Sequence, residues 1–121
     1  MSKKVLIVED TTDIREALAV LIEHEGYEVV TASDGREGYL LAQIHIPDLI
    51  LMDLAMPTFN GVDATRHIRT DTETFAIPIV CVTSYAGVYE AEAMAAGADE
   101  VHTKSSFMDH FGVILKKYLE T

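Results

Sequence analysis

Six polar side chains in this sequence stand at or just beyond the end of a short apolar run, and their types suit phosphate and metal chemistry. Three are acids, two are hydroxyls and one is a cation: Glu9, Asp10, Asp53, Thr83, Ser84 and Lys104. Carboxylates held close together repel one another, so some take up protons or a cation neutralises them. Mg²⁺ is the cation expected beside such groups, because it binds one or two carboxylates together with phosphate oxygens. If the fold gathers these groups, they favour phosphoryl chemistry with one carboxylate as a possible nucleophile.

Apolar runs predict the strands that would carry these groups. Residues 5–8, 49–52 and 79–82 are apolar without alternation, which is typical of strands covered on both faces by helices. Residues 27–31 and 100–103 are weaker strand candidates. Because ligands of open α/β sheets bind beyond the carboxyl ends of the strands, we expect the six polar groups to collect at one end of one sheet.

Helical patterns lie between these runs. Residues 14–22 carry apolar side chains at i, i+3, i+4, i+7 and i+8, which indicates an amphipathic helix. Asp13 and Glu16 resemble a capping box at its start. A second helix is predicted to begin near Asp34 and must end before Pro47, since proline cannot continue it.

Three further helices complete the pattern. One is predicted over about 62–70, and the next presents Val88, Ala91 and Ala95 on one face. The apolar face of the last helix is marked by Phe107, Phe111, Ile114, Leu115 and Tyr118. The resulting order, βαβαβαβαβα, predicts a single doubly wound α/β domain spanning residues 1–121.

Composition excludes several classes of function. The chain has 121 residues, with 9 Lys and Arg against 20 Asp and Glu, so its formal net charge is −11. This charge argues against a nucleic acid or an anionic membrane surface as partner. Cys81 is the single cysteine and cannot form an internal disulfide, and no apolar run approaches the ~18–20 residues of a transmembrane helix. We therefore expect a cytoplasmic protein.

Five short motifs, in their order and spacing, give the chain a family resemblance. It is similar to the CheY-like receiver domains of response regulators in two-component signalling. That resemblance implies a flavodoxin-like, five-stranded parallel sheet of order 2-1-3-4-5 with five helices. The motifs are Val-Leu-Ile-Val-Glu9-Asp10, Pro47-Asp-Leu-Ile-Leu-Met-Asp53-Leu-Ala-Met-Pro57, Asn60-Gly61, Val82-Thr83-Ser84, and Gly97-Ala-Asp with Lys104 beyond it.

The resemblance implies a phosphorylation site and a metal site. Asp53 would accept a phosphoryl group from a histidine kinase or a histidine phosphotransfer protein. Mg²⁺ would be held by Glu9, Asp10, Asp53 and the backbone carbonyl of Ala55. In-line phosphoryl transfer depends on positioning and charge neutralisation, which agrees with this set of groups.

Other residues receive roles from the same resemblance. Thr83, with Ser84 beside it, would bond the phosphoryl oxygen and act as the switch, while Lys104 would pair with Asp53 and then with the phosphate. Ala55 and Tyr85 occupy rim positions that influence the access of water to the acyl phosphate. Because Ala55 has no polar side chain and Tyr85 is bulky, we expect a fairly long-lived phosphoryl group.

Two positions depart from the family's pattern. Ser105 follows Lys104 where the family usually has proline after a cis peptide bond, so we expect a trans bond and a slightly displaced loop. Val101 stands where the family has an aromatic switch residue, and its side chain is short and stiff. Output then uses another element, such as the loop after the fourth strand with Tyr85 or Tyr89, or the allosteric coupling is weak.

As a phosphoacceptor switch, the protein would not be an enzyme in the usual sense, although it would catalyse its own phosphorylation and dephosphorylation. A stand-alone switch would contact an unknown downstream protein through the last two helices and the fifth strand. By the same resemblance, phosphorylation would favour a homodimer through the same face. No output domain is expected in this chain, which is then either a stand-alone regulator or a piece of a longer protein.

Three alternatives stay open. A degenerate receiver would keep the fold as a binding module without phosphorylation. A small phosphatase with an aspartyl nucleophile usually needs a second acid where Ala55 stands. A flavin-binding module of similar fold would need a phosphate-cradling loop, whereas residues 9–13 are acidic and would repel a phosphate without a metal.

Overall fold

The structure, a computed structural model, describes residues 2–56, 59–84 and 86–120. Five strands alternate with five helices, and every predicted strand is confirmed to within one residue at each end. The elements are β1 (Lys4–Val8), α1 (Thr12–His24), β2 (Glu28–Ala32), α2 (Gly35–His45), β3 (Leu49–Asp53), α3 (Gly61–Thr70), β4 (Ile79–Thr83), α4 (Ala86–Ala96), β5 (Glu100–Thr103) and α5 (Lys104–Leu119).

The strands form one parallel sheet of order β2-β1-β3-β4-β5, which confirms the predicted fold class. The chain moves outward from β1 to β2 and then returns to place β3 on the other side of β1. Strand order reverses between β1 and β3, where Val8 pairs with Met52. Glu9 and Asp53 are the next residues of these two neighbouring strands, so the topology alone brings them side by side.

Two apolar layers cover the two faces of the sheet. Successive strand residues point to opposite faces, and accordingly Leu6 and Val8 belong to the layer under α2, α3 and α4, whereas Val5 and Ile7 belong to the layer under α1 and α5. This double burial explains why the inner strands β1, β3 and β4 are continuous apolar runs in the sequence. In the described part of the chain, no helix has both the length and the apolar character that crossing a membrane requires.

The predicted starts of α1 and α2 have different outcomes. The Asp34 side chain caps α2 by accepting a 2.8 Å hydrogen bond from the backbone N–H three residues on, as predicted. The capping box at Asp13 is wrong, because α1 begins at Thr12 with Thr11 as its N-cap and no capping hydrogen bond from the Thr11 side chain. The Thr11 backbone N–H instead donates to the Glu9 carboxylate, at 3.0 Å.

The predicted inner face of α4 is also wrong. Val88 is 68% exposed, and Ala91 and Ala95 are exposed as well. Ala93 and Ala96 are the buried positions instead, with Tyr89 partly buried. The helix is apolar around most of its circumference, so its sequence contains little polar contrast from which a face could be assigned. By contrast, the predicted face of α5 is confirmed, with Phe107, Ile114 and Leu115 buried.

Replacing each of two helical glycines by alanine should change the free energy of unfolding in opposite directions. A Cβ on Gly61, the first residue of α3, would clash with the backbone carbonyl of Asp53, whereas a Cβ on Gly112 within α5 meets nothing within 4 Å. We expect Gly61→Ala to lower the free energy of unfolding by about 1–3 kcal/mol through overpacking. Gly112→Ala should raise it by about 0.5–1 kcal/mol, because alanine favours helix.

Urea denaturation of both variants checks this pair of predictions. A neutral or stabilising Gly61→Ala would show that α3 can move away from the end of β3, and would contradict the close packing described above.

Candidate functional site

Three carboxylates meet at the carboxyl ends of β1 and β3. Glu9 and Asp53 are only 3% and 5% exposed, while Asp10 is the most accessible of the three. One carboxylate oxygen from each of the three residues lies within 4.8 Å of the other two. The acids singled out in the sequence are therefore brought together, and two of them are held away from water where their mutual repulsion is strong.

The turn between β1 and α1 is held by hydrogen bonds from α1. The Arg15 guanidinium donates through Nη1 to the backbone carbonyls of Glu9, at 2.8 Å, and Asp10, at 3.4 Å. Its Nη2 lies 3.4 Å from Thr12 Oγ1. Sequence reasoning missed Arg15, because its partners are backbone carbonyls, which leave no trace in residue types. The one available signal is a cation five residues after Asp10, at the fourth residue of α1, and it does not by itself distinguish Arg15 from a surface arginine.

Lys104 brings a positive charge to the acidic cluster. Its Nζ lies 3.3 Å from Glu9 Oε1, and in this ion pair the Glu9 side chain is buried while that of Lys104 is partly exposed. Within the described residues, Lys104 forms no ion pair with Asp53, the partner that the resemblance implied. Its charge nevertheless acts on Asp53, where it favours the ionised form.

The junction of β5 and α5 departs from one expectation and confirms another. No cis peptide bond occurs among the described residues, so the Lys104–Ser105 bond is trans, as predicted. No displaced loop follows it, however, because β5 ends at Thr103 and α5 begins at Lys104 itself. The Thr103 side chain caps α5 by accepting from the backbone N–H of Ser106 at 3.1 Å, and Ser105 is exposed.

The environment of Asp53 disfavours its charged form. Burial and the neighbouring Glu9 carboxylate raise the pKa of Asp53 to about 7, against the opposing effects of Lys104 and of the Ala55 backbone N–H. That N–H donates to Asp53 Oδ1 at 3.3 Å. A bound cation would favour the ionised form of Asp53, so metal binding and proton release are linked at this site.

The other predicted site residues lie around this cluster. Thr83 is fully buried at the end of β4, one residue beyond the Val82 that pairs with Asp53, and Ser84 is exposed. Ala55 is half-buried in the segment after β3. Tyr85, the second rim residue, lies outside the described residues.

The position of the missing aromatic switch is filled by a small side chain. Val101 is half-buried and packs against the apolar layer under α4, and Tyr89 of α4 packs against the same layer. His102 points to the opposite face, where its Nε2 lies 2.8 Å from Glu100 Oε1.

The donor set fits a hard divalent cation. Three carboxylates with an adjacent backbone segment offer only oxygen ligands, and no histidine or cysteine joins the cluster among the described residues. Oxygen-only sites select Mg²⁺ or Ca²⁺ over softer transition metals. An apolar cavity of about 60 Å³ lies beside Asp53 and Lys104 and is bounded by Leu18 and Phe107.

Comparison with known proteins gives a consistent result. A family model for the response regulator receiver domain matches residues 5–115. Over 120 residues the chain is 36% identical to the polar-differentiation response regulator DivK of Brucella ovis, and the match covers 98% of each chain.

Solved structures show the same fold. The chemotaxis protein CheY4 of Vibrio cholerae superposes with a TM-score of 0.89 at 30% identity, covering 98% of this chain and 100% of that one. The receiver domain of the sensor histidine kinase PA1611 from Pseudomonas aeruginosa PAO1 gives a TM-score of 0.91 at 25% identity, with both chains fully covered. That structure has a magnesium ion coordinated in its active site cleft.

The raised pKa of Asp53 predicts pH-dependent cation binding. Below a pKa of about 7 the Asp53 carboxyl holds a proton that a cation must displace, and above it the carboxylate is already free. The apparent affinity for Mg²⁺ should therefore fall by roughly tenfold between pH 8 and pH 6. Calorimetric titration with MgCl₂ measures this. In the control Asp53→Asn the remaining affinity should vary far less with pH, and equal wild-type affinities at both pH values would contradict the linkage.

Proposed function

The chain belongs to the response regulator receiver domain family, and from that premise we propose that it is a phosphoacceptor switch of a two-component or phosphorelay system. Asp53 accepts a phosphoryl group from a phosphohistidine, and the phosphorylated chain signals by changed contacts with other proteins. The observation that carries the proposal is the cluster of Glu9, Asp10 and Asp53, whose carboxylate oxygens lie within 4.8 Å of one another beside Lys104.

Transfer begins with an Asp53 carboxylate oxygen attacking the phosphorus in line with the imidazole leaving group. The P–O bond forms as the P–N bond breaks, and the electron pair of the broken bond stays on the imidazole nitrogen, which takes up a proton from solvent. Hydrolysis of the acyl phosphate by water later returns the free carboxylate. Such a loose transition state needs positioned positive charge more than covalent assistance.

Charge neutralisation is the task of the surrounding residues. Glu9, Asp10, Asp53 and the Ala55 carbonyl would hold Mg²⁺, which supplies neutralisation of phosphoryl and carboxylate oxygens when bound. Lys104 exchanges its Glu9 partner for the phosphoryl group, as a flexible point charge can. Thr83 contributes its hydroxyl to a phosphoryl oxygen, and Ala55 offers water no polar side chain, so hydrolysis is slow.

Partners follow from this chemistry. The donor is a histidine kinase or a histidine phosphotransfer protein, and a downstream protein or a second copy of the chain contacts α4, β5 and α5. On this proposal the chain catalyses only its own phosphorylation and dephosphorylation. A cytoplasmic location suits it, because Cys81 is a buried free thiol that needs no oxidising compartment.

Incubation with acetyl phosphate and MgCl₂, followed by intact-mass measurement, tests the proposal. We expect one added phosphoryl group, removed by hydroxylamine as acyl phosphates are, and none in Asp53→Asn. Asp63→Asn is the matched control, since Asp63 is an aspartate on α3 that pairs with Arg66 outside the cluster. An adduct of equal yield in Asp53→Asn would overturn the assignment, and no adduct in any variant would favour a degenerate receiver.

Beryllofluoride, which mimics the phosphoryl group, tests the switch. Thr83 leads directly into Ser84 and α4, and Lys104 is the first residue of α5, so we expect amide chemical shift changes at 83–90 and 103–107. Asp53→Asn should abolish these changes. Shifts confined to the immediate neighbours of Asp53 would instead show that coupling is weak in a receiver with Val101 at the aromatic position.

A further inference from the structure

One cation beside the acidic cluster does not touch its carboxylates. The structure gives Arg15 no ion pair within the described residues, although it lies next to two of the three acids. Its guanidinium instead donates to the backbone carbonyls of Glu9 and Asp10. Arginine stays protonated at all working pH values and presents several donors in a fixed plane, so this arrangement is a persistent clamp on the backbone.

We propose that Arg15 is a positioning residue for the divalent-cation site, acting by clamping the turn that carries Glu9 and Asp10. The inference rests on the proposed function, because it assigns Arg15 a part in the cation site which that function requires.

The two acids depend on this clamp unequally. Glu9 is also held by its backbone N–H, which donates to Ala32 at 3.0 Å, and by its carboxylate, which accepts from Thr11 at 3.0 Å. For Asp10, the contact with Arg15 is the one hydrogen bond found in the described part of the chain. Without Arg15, the peptide after Asp10 would keep, among the described residues, only the Thr11 N–H bond to Glu9, and the backbone that aims the Asp10 carboxylate would be held less tightly.

Positioning and charge predict opposite effects on cation binding. The Arg15 guanidinium is positive and repels an incoming cation, so removing its charge should tighten Mg²⁺ binding if only electrostatics matters. If Arg15 positions the carboxylates, its removal should weaken Mg²⁺ binding, because the ligands must then be ordered at the moment of binding. The sign of the change therefore distinguishes the two roles.

The test is titration of the full chain with MgCl₂, followed by amide chemical shifts that also report whether each variant is folded. Substituting a residue that hydrogen-bonds to metal ligands typically lowers metal affinity by about 10–100-fold. We expect Arg15→Ala to weaken Mg²⁺ binding by about tenfold. Arg15→Lys keeps the charge but lacks the planar guanidinium, so its Mg²⁺ affinity should lie between those of wild type and Arg15→Ala. Arg66→Ala, which removes an exposed arginine side chain on α3, is the control and should bind within about twofold of wild type, because exposed charges are screened.

Every outcome bears on the proposal. Unchanged or tighter Mg²⁺ binding in a folded Arg15→Ala overturns it, while normal Mg²⁺ binding by the wild type leaves the cation site itself intact. If Arg15→Ala fails to fold, Arg15→Lys decides, and wild-type affinity in that variant overturns the proposal. A wild type that binds Mg²⁺ but takes no phosphoryl group would refute the proposed function without touching the role of Arg15.

Discussion

Repulsion among three carboxylates is the constraint around which the rest of the structure is arranged. Parallel topology places the ends of β1 and β3 side by side, and this chain puts an acid at each end and a second acid after the first. Two of the three are buried, where water cannot screen them, so burial and mutual repulsion favour the protonated form of Asp53. Stability of the fold and readiness to bind a cation are therefore opposed at this point.

The single lysine near the cluster reduces this repulsion only in part. Lys104 pairs with Glu9 and leaves Asp53, the reactive carboxylate of our proposal, without a direct ion pair among the described residues. The position of Lys104 depends on the residue that follows it in the chain. Proline at 105 would disfavour helical backbone angles at the preceding residue, whereas Ser105 permits them, and α5 accordingly starts at Lys104. The lysine is thereby fixed to a rigid helix instead of a loop.

Much of this arrangement could be predicted from the sequence, and the failures have physical causes. The three inner strands β1, β3 and β4 were predictable because burial on both faces leaves short apolar runs, whereas the less buried edge strands β2 and β5 carried weaker signals. The face of α4 was not, because Ala91, Ala93, Ala95 and Ala96 have the same side chain on all sides of the helix. The start of α1 was misassigned because its first backbone donor is satisfied by Glu9, a residue of the preceding turn. Arg15 was invisible because it recognises backbone atoms.

The misassigned start of α1 shows how fold and site share the same groups. Helices begin where strands of a parallel sheet end, so α1 and α5 point their N-termini, with partial positive charge, toward the acids. In α1 the N-cap contributes its backbone N–H to the Glu9 carboxylate and no side-chain cap forms. In α5 the first residue contributes its ammonium group. The architecture thus supplies partial charges and the full charge of Lys104, while the charge of Arg15 is directed at backbone carbonyls. Against up to three negative charges, the remaining deficit of positive charge would favour a divalent cation at this site.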